Sequence, residues 1–300
     1  MKKTITFRLM TTLLVVIFSL AVAKTQTIYA LTTDSKIVSF NATAPNTMTS
    51  TPSVSGVKIG QTLIGLDVRP ATGEVFALGY DATNDSATVY TLNPTSGVAT
   101  AKPMTLKLTS MGAVIGFDFN PTVDRIRVVS KTGRSYRLNP NNGALAATDS
   151  IVRYAATDVN TGKTAGVTAS AYTNSFIGAT ATGLYNYDET QKTIVFQNPP
   201  NDGILNTQPA ISGITTTATI SDLDIYTNPT TFASTVFAAV RTGTADSLFT
   251  LNLTTGVMTR VGALGASVVD IAVAIDRTLS PLQGRLAYGL SFTSPLPLPQ

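Results

Sequence analysis

Gly116-Phe117-Asp118-Phe119-Asn120-Pro121 leads into Asp124-Arg125-Ile126-Arg127-Val128-Val129-Ser130 and then into Arg134-Ser135-Tyr136-Arg137-Leu138-Asn139-Pro140-Asn141-Asn142-Gly143. Apolar residues alternate through each piece, and turn residues punctuate the joints. That is the pattern of short antiparallel strands. The spacing predicts strands at 114–119, 125–130, 134–138 and 144–148. Asn and Pro open the last turn, and Gly143 supplies the positive φ that leaves it.

The same unit recurs along the chain. The strand-and-turn string Tyr136 to Gly143 has counterparts at Tyr90 to Gly97 and Phe249 to Gly256, with looser copies at Ile37 to Asn41 and Leu184 to Asp188. The strand carrying an Asp recurs as Gly65-Leu66-Asp67-Val68, Asp222-Leu223-Asp224-Ile225 and Val269-Asp270-Ile271, with Gly166-Val167-Thr168-Ala169 placing Thr where the others have Asp. Positions 67, 118, 168, 224 and 270 are 51, 50, 56 and 46 residues apart. A period near 50 with four short strands per unit predicts an all-β fold, a β-propeller. Five inner strands predict about five blades. Six is the alternative, with 285–292 contributing separately.

The first unit reads as strands at 62–68, 74–80, 87–92 and 98–103. The last lacks a full C-terminal set, and strands expected at 27–32, 36–41 and 48–54 are of the missing kind. Joining them to the final inner strand closes the ring and removes exposed sheet edges.

Outside the repeats, Lys2, Lys3 and Arg8 precede an apolar stretch from Leu9 to Ala23 that ends in Ala21-Val22-Ala23. This is the form of a secretory signal peptide, too short to span a membrane comfortably. The expected organisation is a signal peptide at 1–23, one propeller domain at 24–293 and a Pro-rich tail at 294–300. The expected location is extracellular or periplasmic, with no membrane span after cleavage. Cleavage takes the formal net charge from +4 to +1 and leaves no basic block, so no nucleic-acid partner is expected.

The chain has no Cys, no His and no Trp. Disulfides, thiol nucleophiles, His-based triads, thiolate or imidazole zinc sites and Trp-lined sugar subsites are therefore excluded.

Several of these strings resemble the DUF4394 family, a domain of unknown function of exported bacterial proteins. The resemblance rests on Gly116 to Pro121 with Asp124 to Ser130, Arg137 to Pro140, Tyr154-Ala155-Ala156 with Asp158-Val159-Asn160, Ala171 to Asn174, and Gln197 to Gly203 with Leu205-Asn206. It covers about 28–275. It implies an exported, propeller-like domain and no particular activity, so no catalytic residue is carried over.

Asp67, Asp118, Asp224 and Asp270 are the candidate channel or inter-blade residues. Each projects opposite its apolar neighbours along the strand. Accepting hydrogen bonds from a neighbouring blade is their expected role. Arg125 and Arg127 alternate with Ile126 and Val128, and are expected to pair with Asp118 and Asp124 rather than to clamp an anion. No cofactor is expected. Calcium is the one ion the oxygen donors leave open, in the channel or at the turns 158–162 and 198–203, which are read first as polar turns. The expected function is a non-catalytic binding or structural module for an unknown protein or glycan ligand. The alternative is a hydrolase or lyase acting on a glycan through the inner-strand carboxylates.

Overall fold

A computed structural model describes residues 26–277. The expected signal peptide, the tail and the segment 285–292 lie outside the described residues. The strands are β1 (Thr27–Thr32), β2 (Ile37–Asn41), β3 (Ala44–Ser50), β4 (Thr62–Val68), β5 (Val75–Asp81), β6 (Ser86–Leu92), β7 (Ala99–Lys107), β8 (Ile115–Asn120), β9 (Arg125–Ser130), β10 (Ser135–Leu138) and β11 (Leu145–Asp149). They continue with β12 (Arg153–Tyr154), β13 (Val167–Tyr172), β14 (Leu184–Asp188), β15 (Thr193–Gln197), β16 (Ile204–Thr207), β17 (Thr219–Thr227), β18 (Ser234–Thr242), β19 (Ala245–Leu251), β20 (Met258–Ala263) and β21 (Val268–Val273). No helix occurs among the described residues.

These strands form five sheets, the blades of a five-bladed β-propeller. The inner strands β4, β8, β13, β17 and β21 neighbour one another in that order, and β21 returns to β4. The third blade has a fifth strand, because β12 adds in parallel to the outer edge of β16. This edge addition goes with the longer spacing between the second and fourth inner strands.

The fifth blade is built from both ends of the chain, in the order β21-β1-β2-β3. Ile28 lies opposite Val273 and Ala30 opposite Ile271. The expected strand 48–54 runs instead from Ala44 to Ser50. The turn at 41–43 is tight, with Asn41 Oδ1 accepting the Thr43 N–H at 2.9 Å, and the strand resumes at once.

The repeated turns take the expected form. Gly97, Gly143 and Gly256 have φ near 75° (74°, 75° and 73°), and each N–H reaches the carbonyl of the Asn four residues earlier at 2.8 Å. Phe232 occupies the same place in the turn after Asn228, at φ 58°.

The core lies between blades. Phe76, Leu78, Phe119, Ile126 and Val128 pack the first blade against the second. Ile28, Val38, Phe237, Ala239 and Ile271 pack the fourth against the fifth.

Candidate functional site

The central channel holds five buried carboxyls: Asp67, Asp118, Asp222, Asp224 and Asp270, between 1% and 5% exposed. They form two layers, which the bonds between blades define. Asp67 Oδ2 accepts the Phe119 N–H at 2.7 Å, Asp118 Oδ1 the Tyr172 N–H at 3.2 Å, and Asp224 Oδ2 the Val273 N–H at 2.5 Å. Each acceptor thus reaches the residue one past the matching position of the next inner strand. The first layer is therefore Asp67, Asp118, Ala171, Asp224 and Ala272.

Asp222 Oδ2 accepts the Ile271 N–H at 3.1 Å, and the Leu66 N–H serves Asp270. The second layer is therefore Gly65, Gly116, Ala169, Asp222 and Asp270. It lies two residues closer to the start of the strands.

This arrangement departs from the even sequence spacing. Thr168 does not occupy the Asp position of its blade. Ala171 stands level with Asp118, and Asp270 belongs with Asp222 rather than with Asp224. Asp222, which sequence reasoning did not single out, is as buried as the others. The alternation Asp222-Leu223-Asp224 held the signal, since it puts both acids on one strand face.

Burial raises the pKa of all five. For Asp67 and Asp118 burial is the largest cause, followed by the charges of neighbouring acids: Asp224 beside Asp67, and Asp67 with Asp224 beside Asp118. Asp270 is raised by burial and then by Asp222. Burial lifts Asp222 to about 8, against a hydrogen bond with the Asp270 carboxyl and backbone N–H donors that lower it, and lifts Asp224 to about 6 against the Val273 and Ile225 N–H groups. One oxygen each of Asp67, Asp118 and Asp224 lies within 4.8 Å of the other two. Among the described residues, Asp222 Oδ1, Asp270 Oδ1 and Thr168 Oγ1 are sealed from solvent without a hydrogen-bond partner.

Arg125 and Arg127 do not pair with Asp118 or Asp124. Arg127 lies directly across from Asp118 in the sheet, but its long side chain runs outward and pairs with Asp149. It also donates to Ser135 Oγ at 3.1 Å, Asn201 Oδ1 at 2.7 Å and the Tyr172 hydroxyl at 3.2 Å. Arg125 donates to the Asp124 carbonyl at 2.9 Å, while the Asp124 carboxylate pairs with Arg69 from the first blade. The turn residue Asp158 accepts the Asn160 and Thr207 N–H groups at 2.8 and 2.6 Å.

Beyond the second layer the channel opens into a depression of about 460 Å³. A β-bulge recurs there in four blades, at Ile64, Thr168, Ser221 and Val269. All four bulged residues line the depression, together with Val114, Ile115 and the Lys131–Glu189 ion pair. A bulge re-aims the extra residue out of the regular alternation, and here it delivers one side chain per blade to the mouth.

Solved structures match the chain at low identity. The nidogen/laminin complex matches at 10% identity and a TM-score of 0.47, covering 84% of this chain and 99% of that one. A protein from Lactobacillus plantarum matches at 16% and 0.42, covering 83% and 71%. The Myxococcus xanthus glutaminyl cyclase matches at 12% and 0.42, covering 79% and 95%. No curated protein matches the chain. The model of the domain of unknown function DUF4394 matches residues 36–272, most of the chain. With those residues forming a continuous ring of blades, the chain belongs to the DUF4394 family.

Proposed function

We propose that the protein is an exported, non-catalytic propeller that binds a partner protein at the mouth of its channel. The observation that carries this reading is the bulge repeated in four blades, which turns Ile64, Thr168, Ser221 and Val269 into one depression. Half of its lining is aliphatic, the rest carrying the hydroxyls of Thr33, Thr219 and Ser221 and the charges of Lys131, Glu189 and Arg241, and it contains no aromatic ring. Sugars are commonly held by stacking on aromatic faces. An apolar side chain on a polypeptide loop, flanked by groups that bond to the mouth hydroxyls, suits this surface better than a glycan. The carboxylates of the hydrolase or lyase alternative lie beneath the mouth, sealed and engaged with backbone donors, whereas glycoside chemistry needs an acid and a base that reach the substrate. Export rests on the N-terminal signal alone.

The test is binding of the purified protein to arrays of secreted-protein peptides and of glycans, repeated with Val114→Arg. Val114 is 48% exposed at the mouth. Peptide binding that Val114→Arg abolishes without moving the melting temperature supports the reading. Binding indifferent to Val114→Arg, or confined to glycans, contradicts it.

A further inference from the structure

We propose that the channel carboxyls of Asp67, Asp118 and Asp224 hold a divalent cation of calcium type, with Asp222 and Asp270 of the adjoining layer adding negative charge beside it. This goes beyond the mouth reading and concerns the layers beneath it.

The first support is geometric. Three carboxylate oxygens, from the first, second and fourth blades, lie within 4.8 Å of one another. Calcium takes oxygen ligands at about 2.3–2.6 Å, and three oxygens this close together can reach one such ion. Magnesium, at about 2.0–2.1 Å, needs a tighter cage and keeps several waters. All the donors are hard oxygens, and no imidazole or thiolate exists anywhere in the chain to draw a softer metal.

The second support is independent of that trio. Asp222 Oδ1 and Asp270 Oδ1 are buried acceptors with no donor. Asp222 shares its strand face with Asp224 two residues on, so its carboxyl looks into the same channel. Buried polar atoms in native proteins are nearly always satisfied, and an orphaned one is costly. The two carboxyls also bond to each other, so a shared proton or a cation beside them satisfies both, and the calcium titration below tells the two apart.

The third support is charge balance. Among the described residues, every ion pair lies outside the channel: Arg127 and Arg137 with Asp149, Arg69 with Asp124, Arg241 with Asp246, Lys131 with Glu189 and Lys36 with Asp34. The channel acids meet backbone N–H groups and one another. Several carboxylates in a sealed space call for a cation or for protons.

The test is calorimetric titration of the purified protein, stripped with EDTA and held at neutral pH, with CaCl2 and separately with MgCl2. Thermal melts with and without millimolar CaCl2 accompany it. We expect one equivalent of calcium to bind and to raise the melting temperature by several degrees, with magnesium much weaker. Asp118→Asn and Asp67→Asn should each weaken binding by at least about tenfold, since ligand charge sets calcium affinity, while Asp158→Asn on the outer turn leaves it unchanged. The wild-type titration stands without the variants if either fails to fold. No calcium heat together with an unchanged melt overturns the proposal. Binding that survives in a folded Asp118→Asn protein overturns the location, and equal binding of magnesium overturns the choice of calcium.

Discussion

Asp118 and Arg127 face one another across β8 and β9, and both end on Tyr172 of the third blade. Asp118 Oδ1 takes the Tyr172 backbone N–H, and Arg127 Nε donates to its hydroxyl, each at 3.2 Å. A short acid and a long base from one blade thus grip a single residue of the next. The acid reaches the channel wall, and the base reaches the outer strands. Contacts of this kind carry the closure of the ring along with the apolar packing between blades.

The outer half of that grip depends on Asp149, whose side chain is 5% exposed and receives both Arg127 and Arg137. Asp149→Ala leaves a buried guanidinium without its counter-charge. Breaking one side of a buried pair costs about 3–5 kcal/mol, and denaturant unfolding should report a loss of that order. A loss within about 0.5 kcal/mol, as for ordinary surface changes, would contradict this role.

The strands and the closure were legible because their signals are local. The alternation around Asp67, Asp118 and Asp224, the Asn-to-Gly turns and the unmatched N-terminal strands all report backbone geometry directly. The two layers of acids were not legible, because the level of each inner strand is set by bonds between blades rather than by spacing along the chain. Position 168 is a bulged residue in neither layer and 270 stands in the second, yet both fell at near-even intervals from 67, 118 and 224. Arg127 finds Asp149, Ser135 and Asn201 through contacts 8 to 74 residues away, which no spacing within one strand reveals.

Two glycines separate backbone conformation from close approach. Gly256 and Gly162 have nearly the same φ, 73° and 76°. A Cβ at Gly256 would collide with the Ala210 carbonyl, whereas at Gly162 nothing lies within 4 Å. Gly162→Ala should cost about 1 kcal/mol, the price of the left-handed conformation. Gly256→Ala should cost at least about 1 kcal/mol more. Equal losses in chemical denaturation would show that the turn yields freely.

The seam of the ring is the pairing of β1 with β21. Deleting residues 28–54 removes three of the four strands of the fifth blade and exposes the core faces of its neighbours. The truncated protein should lose cooperative thermal unfolding. A sharp transition at the wild-type temperature would mean that the other four blades stand alone.

With no His and no Cys in the chain, the channel acids and the α-amine are the groups expected to titrate between about pH 5 and 8. The unfolded acids titrate near 3.8, and in the folded protein Asp224 and Asp222 rise to about 6 and about 8. Over that window the folded state holds more protons than the unfolded state, so stability falls as pH rises. Their contribution is whole below about pH 4 and is lost through the folded values. In EDTA, the melting temperature should therefore decline from about pH 5 to about pH 8. A melting temperature that climbs over this range would contradict the raised values.

The central claim is that the inner-strand acids hold neighbouring blades together, and denaturant unfolding of Asp118→Ala in EDTA tests it most directly. The substitution strands the buried Tyr172 N–H, and an unmet buried donor costs about 1–3 kcal/mol. Asp118→Asn keeps an acceptor oxygen and should lose less. The account predicts a single transition with a lowered midpoint for Asp118→Ala and an intermediate one for Asp118→Asn. An Asp118→Ala protein that unfolds at the wild-type midpoint would contradict it.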